Sequence, residues 1–320
     1  MISWIRCFFI ALSVLLESSI ARSQTQVAAW GANASGQCTV PAMGLAWDEL
    51  AGGGVHGLGL RSDGSVAAWG ENTRGQCTVP TLPPGVVYTA IAGGHYYSAA
   101  LRSDGSIVAW GENTSGQCNV PALPPGLVYT QVDAGWYHSA ALRSDGMVVA
   151  WGDNTWGECN VPPPPPGLTY VEVAAGGYSC CPIGEHTVAR LSDGSVIAWG
   201  NNSAGQCNVP SLPPGKTFVQ ISAGYLNTAA LVSDGSIVVW GENSWGQCNV
   251  PGLPAGVTYV KVLVEAHTVA LRSDGQIVGW GHQGNQEGHC PDTQGDIGSV
   301  VHAADHWAVE FSCLIRGWQP

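Results

Sequence analysis

Short apolar runs, broken at regular intervals by glycine, proline and aspartate, set the rhythm of the chain. Segments such as YTQVDAG (129–135) and SAALRS (98–103) are short β-compatible runs. Each run of the second kind leads into Ser-Asp-Gly, with the aspartates at Asp63, Asp104, Asp145, Asp193, Asp234 and Asp274. Asp-Gly at that place predicts a tight hairpin of type I′, whose central residues need positive φ. The strand after the turn ends in Trp-Gly, as in SIVAWG (106–111). Pro-Pro-Gly then predicts an extended, turning crossover, because proline cannot donate to a ladder. No helical period of comparable length is present. Each unit therefore supplies three antiparallel strands, with a short fourth expected around Gln-Cys-x-Val.

The units repeat. Trp-Gly falls at Trp30, Trp69, Trp110, Trp151, Trp199, Trp240 and Trp280, with spacings of 39, 41, 41, 48, 41 and 40 residues. Seven copies at a nearly constant period signal a repeat architecture, so each motif is read first by its place in the repeat. Sheets this small cannot bury their faces alone, but packed radially they can. The expectation is an all-β, seven-bladed β-propeller with three to four antiparallel strands per blade. The recurring tryptophan is then the plug between neighbouring blades. The ends fit a closed ring. QVAAWG (26–31) reads as a last strand without its predecessors, and SVVHAADHWAVEFSC (299–313) reads as the missing pieces. The N-terminal strand is expected to close the last blade and remove an exposed edge.

WGENTRGQC (69–77), AGWYHSAALRSDG (134–146) and IVAWG (107–111) resemble repeats of the regulator-of-chromosome-condensation type. The short units, with Val-Pro after Gly-Gln-Cys, are most similar in style to secreted bacterial seven-bladed propellers that inhibit β-lactamases. The resemblance spans residues 25–320 and implies the propeller fold. It also implies binding through an aromatic-rich loop face, without carrying individual contact residues over. Such repeats serve exchange factors and inhibitors alike.

Composition narrows the function classes. Glycine and proline are abundant, but 45% of residues are hydrophobic, which points to turns between buried strands rather than disorder. The formal net charge is −12 and the chain holds two lysines, so a phosphate-binding surface and a nucleic-acid partner are not expected. Residues 1–23 have an early arginine, an apolar run from Cys7 to Leu16 and then small residues. That layout predicts a secretory signal peptide cut after Ala21 or Ser23, with 24–320 as the propeller and no membrane span after cleavage. The expected location is periplasmic or extracellular.

The residues that look like chemistry mostly follow the repeat. Cys38, Cys77, Cys118, Cys159, Cys207, Cys248 and Cys290 share one slot; equivalent slots on adjacent blades lie too far apart for disulfides, so they read as small buried hydrophobes. Cys180, Cys181 and Cys313 fall outside it, the first two in an insertion, and either a disulfide or free thiols fit them. His56, His138, His186 and His267 share a slot with Tyr97, Asn227 and Trp307, an exchange that suits turn hydrogen bonds and not catalysis. His282, His289, His302 and His306 have no tight metal spacing. The Asn33, Asn113 and Asn201 sequons coincide with the repeated turn. No catalytic residue, metal or cofactor is expected.

Variation concentrates on one face. Tracing a blade puts the loop after the first strand and the loop after the third strand together, opposite the Ser-Asp-Gly turns. The slot before the glycine of Asn-x-x-Gly holds Ser35, Arg74, Ser115, Trp156, Ala204 and Trp245. The other loops bring Tyr96, Trp136, Tyr137, Tyr178, Tyr225 and Leu226, and the insertion Ser179–Glu185 falls there too. Tryptophan and tyrosine on one rim are protein-interface anchors, with Arg74 beside them. The leading expectation is a non-catalytic module that binds another protein, as inhibitor or adaptor. A lectin-like propeller stacking sugars on the aromatics is the alternative, followed by a propeller lyase or hydrolase.

Overall fold

The computed structural model describes residues 35–37, 39–41, 47–177, 184–265 and 267–281. These form six three-stranded antiparallel sheets, each a simple meander. The first comprises β1 (Trp47–Gly52), β2 (His56–Arg61) and β3 (Val66–Gly70); the second β4 (Tyr88–Gly93), β5 (Tyr97–Arg102) and β6 (Ile107–Gly111). The third holds β7 (Tyr129–Ala134), β8 (His138–Arg143) and β9 (Val148–Gly152); the fourth β10 (Tyr170–Gly176), β11 (His186–Leu191) and β12 (Val196–Gly200). The fifth runs through β13 (Phe218–Ala223), β14 (Asn227–Val232) and β15 (Ile237–Gly241), and the sixth through β16 (Tyr259–Val264), β17 (Thr268–Arg272) and β18 (Ile277–Trp280). Gln-Cys-x-Val forms turns in the described units, so the sheets have three strands and not four. The N-terminal and C-terminal pieces expected to share a blade lie outside the described residues.

First strands of consecutive sheets lie against one another, and each second strand lies against the next first strand. Third strands make no comparable contact with each other. The sheets therefore converge along their first strands and splay at their third, the radial packing of propeller blades.

The core is a series of wedges between sheets. Central strands are covered on both faces, so they read as continuous small apolar runs: Ala99, Ala100, Ala140, Ala141, Ala229 and Ala230 are wholly buried. The tryptophans fill the space that the alanines leave. Trp151 joins Tyr129 in packing against Tyr97, Leu101 and Ile107 of the preceding sheet. Trp69, Trp110, Trp151, Trp199 and Trp240 are at most 8% exposed. Each donates its indole N–H to the backbone carbonyl of Gln37, Gln76, Gln117, Glu158 or Gln206 respectively, at 2.8–2.9 Å. Each first strand also carries a bulge near its start, as between Tyr88 and Ala90.

The hairpin turn differs from expectation. Leu60 pairs with Val66, Arg61 N–H donates to Ser65 O, and Gly64 N–H donates to Arg61 O. This is a three-residue loop with glycine alone closing it at φ 76°, instead of a two-residue type I′ turn. Asp63 accepts from the Ser65 N–H and hydroxyl, which fixes the loop from outside the ladder. A Cβ on Gly64 would lie 2.5 Å from Val87 Cβ, so the site excludes a side chain.

First strands are sheet edges, and their free amides are capped from the preceding blade. Gln131 exchanges two hydrogen bonds with the backbone of Val173, and Gln220 does the same with Val262. Glu49 and Glu172 accept only, from Ile91 N–H and Ile221 N–H. Asp133 accepts from Ala175 N–H, and the Ser222 hydroxyl from Val264 N–H.

Candidate interaction face

In the first five sheets the loop after the first strand and the loop after the third strand share one edge. They are bonded directly: Glu71 N–H donates to Val55 O, Glu112 to Tyr96 O, Asp153 to Tyr137 O, Asn201 to Glu185 O and Glu242 to Leu226 O. Loops of neighbouring sheets also join, through His95 N–H to Trp136 O and Tyr225 N–H to Glu265 O. The result is a continuous loop face opposite the Ser-Asp-Gly turns.

Each third-strand loop is built the same way. The asparagine carboxamide accepts the cysteine N–H five residues on, as Asn113 does from Cys118. The following Gln side chain, or Glu158 in the Trp156 loop, is buried and accepts the N–H two residues before it, as Gln247 does from Trp245. The slot residue is thereby pushed outward while its backbone is fixed. Trp156 is 44% exposed and Trp245 53%, and Arg74 is exposed in the equivalent place. Ser115 and Ala204 fill the slot with little area. The Trp156 indole rests on Gly184, where a Cβ would lie 2.1 Å from its Cδ1.

The other loops contribute differently. Trp136 is 2% exposed and packs against His95, ring centroids 3.8 Å apart and tilted, so it forms the floor of the face rather than an exposed anchor. Tyr96 also packs against His95, ring centroids 3.9 Å apart and tilted, and the His95 imidazole meets the Tyr137 hydroxyl at 3.1 Å. Burial, with Glu71 nearby, pushes the Tyr96 phenol up to about 12. Tyr96, Tyr137, Tyr225 and Leu226 are half-buried. Tyr178, Ser179 and the insertion cysteines lie outside the described residues, as do Cys38, Cys290, Cys313, His282, His289, His302, His306, Trp307 and Asn33.

Below the face lies a buried polar seam between sheets. His56 Nε2 meets Ser98 Oγ at 2.8 Å, His138 Nε2 meets Thr187 Oγ1 at 2.9 Å, and His186 Nε2 meets Thr228 Oγ1 at 3.0 Å. The Ser98, Thr187 and Thr228 hydroxyls donate onward to the carbonyls of Gln76, Glu158 and Gln206. The histidine slot thus joins blade to blade instead of holding one turn. Tyr97 fits it because its hydroxyl reaches His138 O and Ser139 Oγ in the next sheet. These side chains are fully buried, so the Ser/Thr–His contacts meet no substrate.

One seam differs. Glu185, at the end of the insertion, binds His138 Nδ1 and accepts Tyr137 N–H at 2.6 Å, tying the fourth sheet's loop to the third. Burial disfavours the His138 imidazolium, but Glu185, backed by Glu158 and Asp133, outweighs burial and raises its pKa. His186, without such a carboxylate, is held down at about 3 by burial. Sequence reasoning passed over Glu185 and His95. Glu158 was visible as the one acidic residue in a slot otherwise filled by glutamine among the described units.

The repeated cysteines are half-buried rather than fully buried, and Cys77, Cys118, Cys159, Cys207 and Cys248 are free thiols. Each donates to a carbonyl in its own loop, as Cys118 does to Glu112 O at 3.2 Å. Burial pushes Cys118, Cys159 and Cys207 up to about 12, which suits hydrogen-bonded structural thiols and not nucleophiles. Asn201 is buried and accepts from Ser203 and Gln206, so its sequon serves the turn. Among the described residues there is no cluster of three His, Cys, Asp or Glu able to hold a metal, and no helix long and apolar enough to cross a membrane.

Comparison with known proteins agrees with the repeat. The family model for the regulator of chromosome condensation (RCC1) repeat matches residues 48–76, 88–117, 129–158, 184–206 and 218–247. No curated protein sequence matches the chain. Among solved structures, Prp20p from Saccharomyces cerevisiae, described with its binding to Gsp1p and histones, aligns with TM-score 0.67 at 20% identity, over 81% of this chain and 82% of that one. Human WBSCR16 aligns with TM-score 0.65 at 18% identity, over 81% and 89%. The ectodomain of the Physcomitrella patens receptor kinase CR4 aligns with TM-score 0.59 at 22% identity, over 77% and 64%. At these identities the likeness speaks for the fold. Five matched repeats on a radial array of three-stranded sheets make the chain a member of the RCC1-repeat propeller family.

Proposed function

We propose that this chain is a secreted, non-catalytic propeller of seven blades that binds another protein on its loop face. Exposed Trp156 and Trp245 are the anchors, Arg74 stands at the rim, and Tyr96, Tyr137 and Tyr225 lie beside them, with Tyr178 assigned by the repeat alone. Trp136 supports the floor. Ring closure by the N-terminal strand and removal of residues 1–23 belong to the same reading, supported by the sequence pattern. Protein partners are known for a relative of the same fold, since yeast RCC1 (Prp20) was solved bound to Kap60.

One observation carries the reading. Five third-strand tryptophans are at most 8% exposed, whereas Trp156 and Trp245 are held 44% and 53% exposed in one equivalent slot by a buried acceptor side chain. Large aromatics kept in water at fixed positions are what interface anchors require. Replacing both by alanine is expected to weaken capture of a partner from the producing culture's medium by more than about 2 kcal/mol, with the thermal midpoint within a degree or two of the parent. A large fall in the midpoint with capture unchanged would make them core residues and overturn the reading.

A further inference from the structure

The two faces of the array differ in charge. On the turn face, Asp145, Asp234 and Asp274 pair with Arg143, Lys216 and Arg272, and Arg61 and Arg102 act on Asp63 and Asp104. That face is close to neutral. On the loop face, the residue following the third strand is Glu71, Glu112, Asp153 or Glu242 in four of the five described loops. Among the described residues, Arg74 is the one lysine or arginine in these loops. The acidic excess of the described array therefore sits on the face that carries the exposed tryptophans.

The carboxylates and the rings also alternate in a fixed way. Asp153 lies three residues before Trp156, and Glu242 three residues before Trp245. Each carboxylate is oriented by its own loop: Asp153 accepts from the Thr155 N–H and hydroxyl, and Glu242 from Ser244 N–H at 2.7 Å. An indole face and an oriented carboxylate in one short loop match a guanidinium, which stacks on the ring while its planar N–H fork meets the acid. An ammonium uses the charge but not the plane.

We infer that the partner presents an arginine-bearing protein segment, whose guanidinium groups seat in the Asp153/Trp156 and Glu242/Trp245 loops. This rests on the loop face being the binding face. The test uses the full secreted chain and three labelled peptides of equal length, with alternating arginine, lysine or glutamate. The arginine peptide binds tightest, and its affinity falls about tenfold between low and physiological salt. Neutralising the loop face with Glu71→Gln, Glu112→Gln, Asp153→Asn and Glu242→Gln costs at least about tenfold. The same charge change on the turn face, with Asp63→Asn, Asp104→Asn, Asp193→Asn and Asp234→Asn, costs less than about twofold. These replacements keep a side-chain oxygen as acceptor for the turn bonds. Arg74→Gln strengthens binding.

Equal losses from the two neutralised faces would reduce the effect to net charge and overturn the inference, as would equal binding of the arginine and lysine peptides or none of either. The two claims fail separately. A partner lost on Trp156/Trp245 replacement but indifferent to the four neutralised acids keeps the protein-binding reading and sinks the arginine segment. Peptide binding that survives the tryptophan replacement sinks the seating proposed here.

Discussion

At the residue scale, the inner strands show what one oxygen-to-nitrogen exchange does. Gln131 and Gln220 each satisfy an N–H and a carbonyl on the next blade, whereas Glu49 satisfies an N–H alone. Burial pushes the Glu49 carboxyl from 4.5 to about 7, against the pull of Ile91 N–H and Lys261. Between those values the unfolded chain has released this proton and the folded chain has not. Stability from this group is therefore present at low pH and is lost as pH rises through that window, by roughly 3 kcal/mol. Glu49→Gln removes the penalty and allows the reciprocal pairing seen at the two glutamines. Thermal unfolding should show a higher midpoint for the variant at pH 8 and no gain near pH 4. An equal gain at both would place the cause elsewhere. This pairing was hidden in the sequence because residue 49 acquires its partner 42 positions later, through blade packing. Trp136 was misplaced for the same reason: its ring is covered by His95 of the preceding blade, and no local pattern announces that contact.

At the element scale, strand number and order were legible because each blade is a local meander, with nearly every turn flagged by glycine or proline. The turn type was not. Asp-Gly suits two loop lengths, and the choice follows from the ladder pairing of Leu60 with Val66. The tryptophan slot was read correctly as a wedge between blades, but its second role, the indole N–H bond to the preceding loop, needed the register. The two roles separate by substitution. Trp151→Ala should cost about 3–5 kcal/mol in denaturant unfolding, from lost burial and the cavity left behind. Trp151→Phe, which keeps most of the ring and loses the bond to Gln117 O, should cost clearly less, of order 1–2 kcal/mol. Equal costs would mean that the bond and the residual packing matter more than ring volume. The same bond explains why tryptophan stands in this slot in all six described sheets: another aromatic fills the wedge but leaves the Gln or Glu carbonyl without that donor.

At the scale of the whole molecule, the repeat separates what holds the array together from what it presents. Histidine, cysteine and asparagine recur in positions that look chemical, and the structure spends them on seams and turns. The positions that vary are those that the fold leaves pointing outward. This is why a candidate face was readable from sequence while its depth was not: variation marks the slot, but exposure depends on neighbours from another blade. The most direct test of the central claim uses a photoactivatable phenylalanine at Ala204, in the slot between Trp156 and Trp245, and at exposed Gln276 beside a Ser-Asp-Gly turn. Irradiation with the culture medium should give a discrete protein adduct from position 204 and none from position 276. An adduct from position 276 with none from position 204 would place the binding surface on the opposite face and contradict the account.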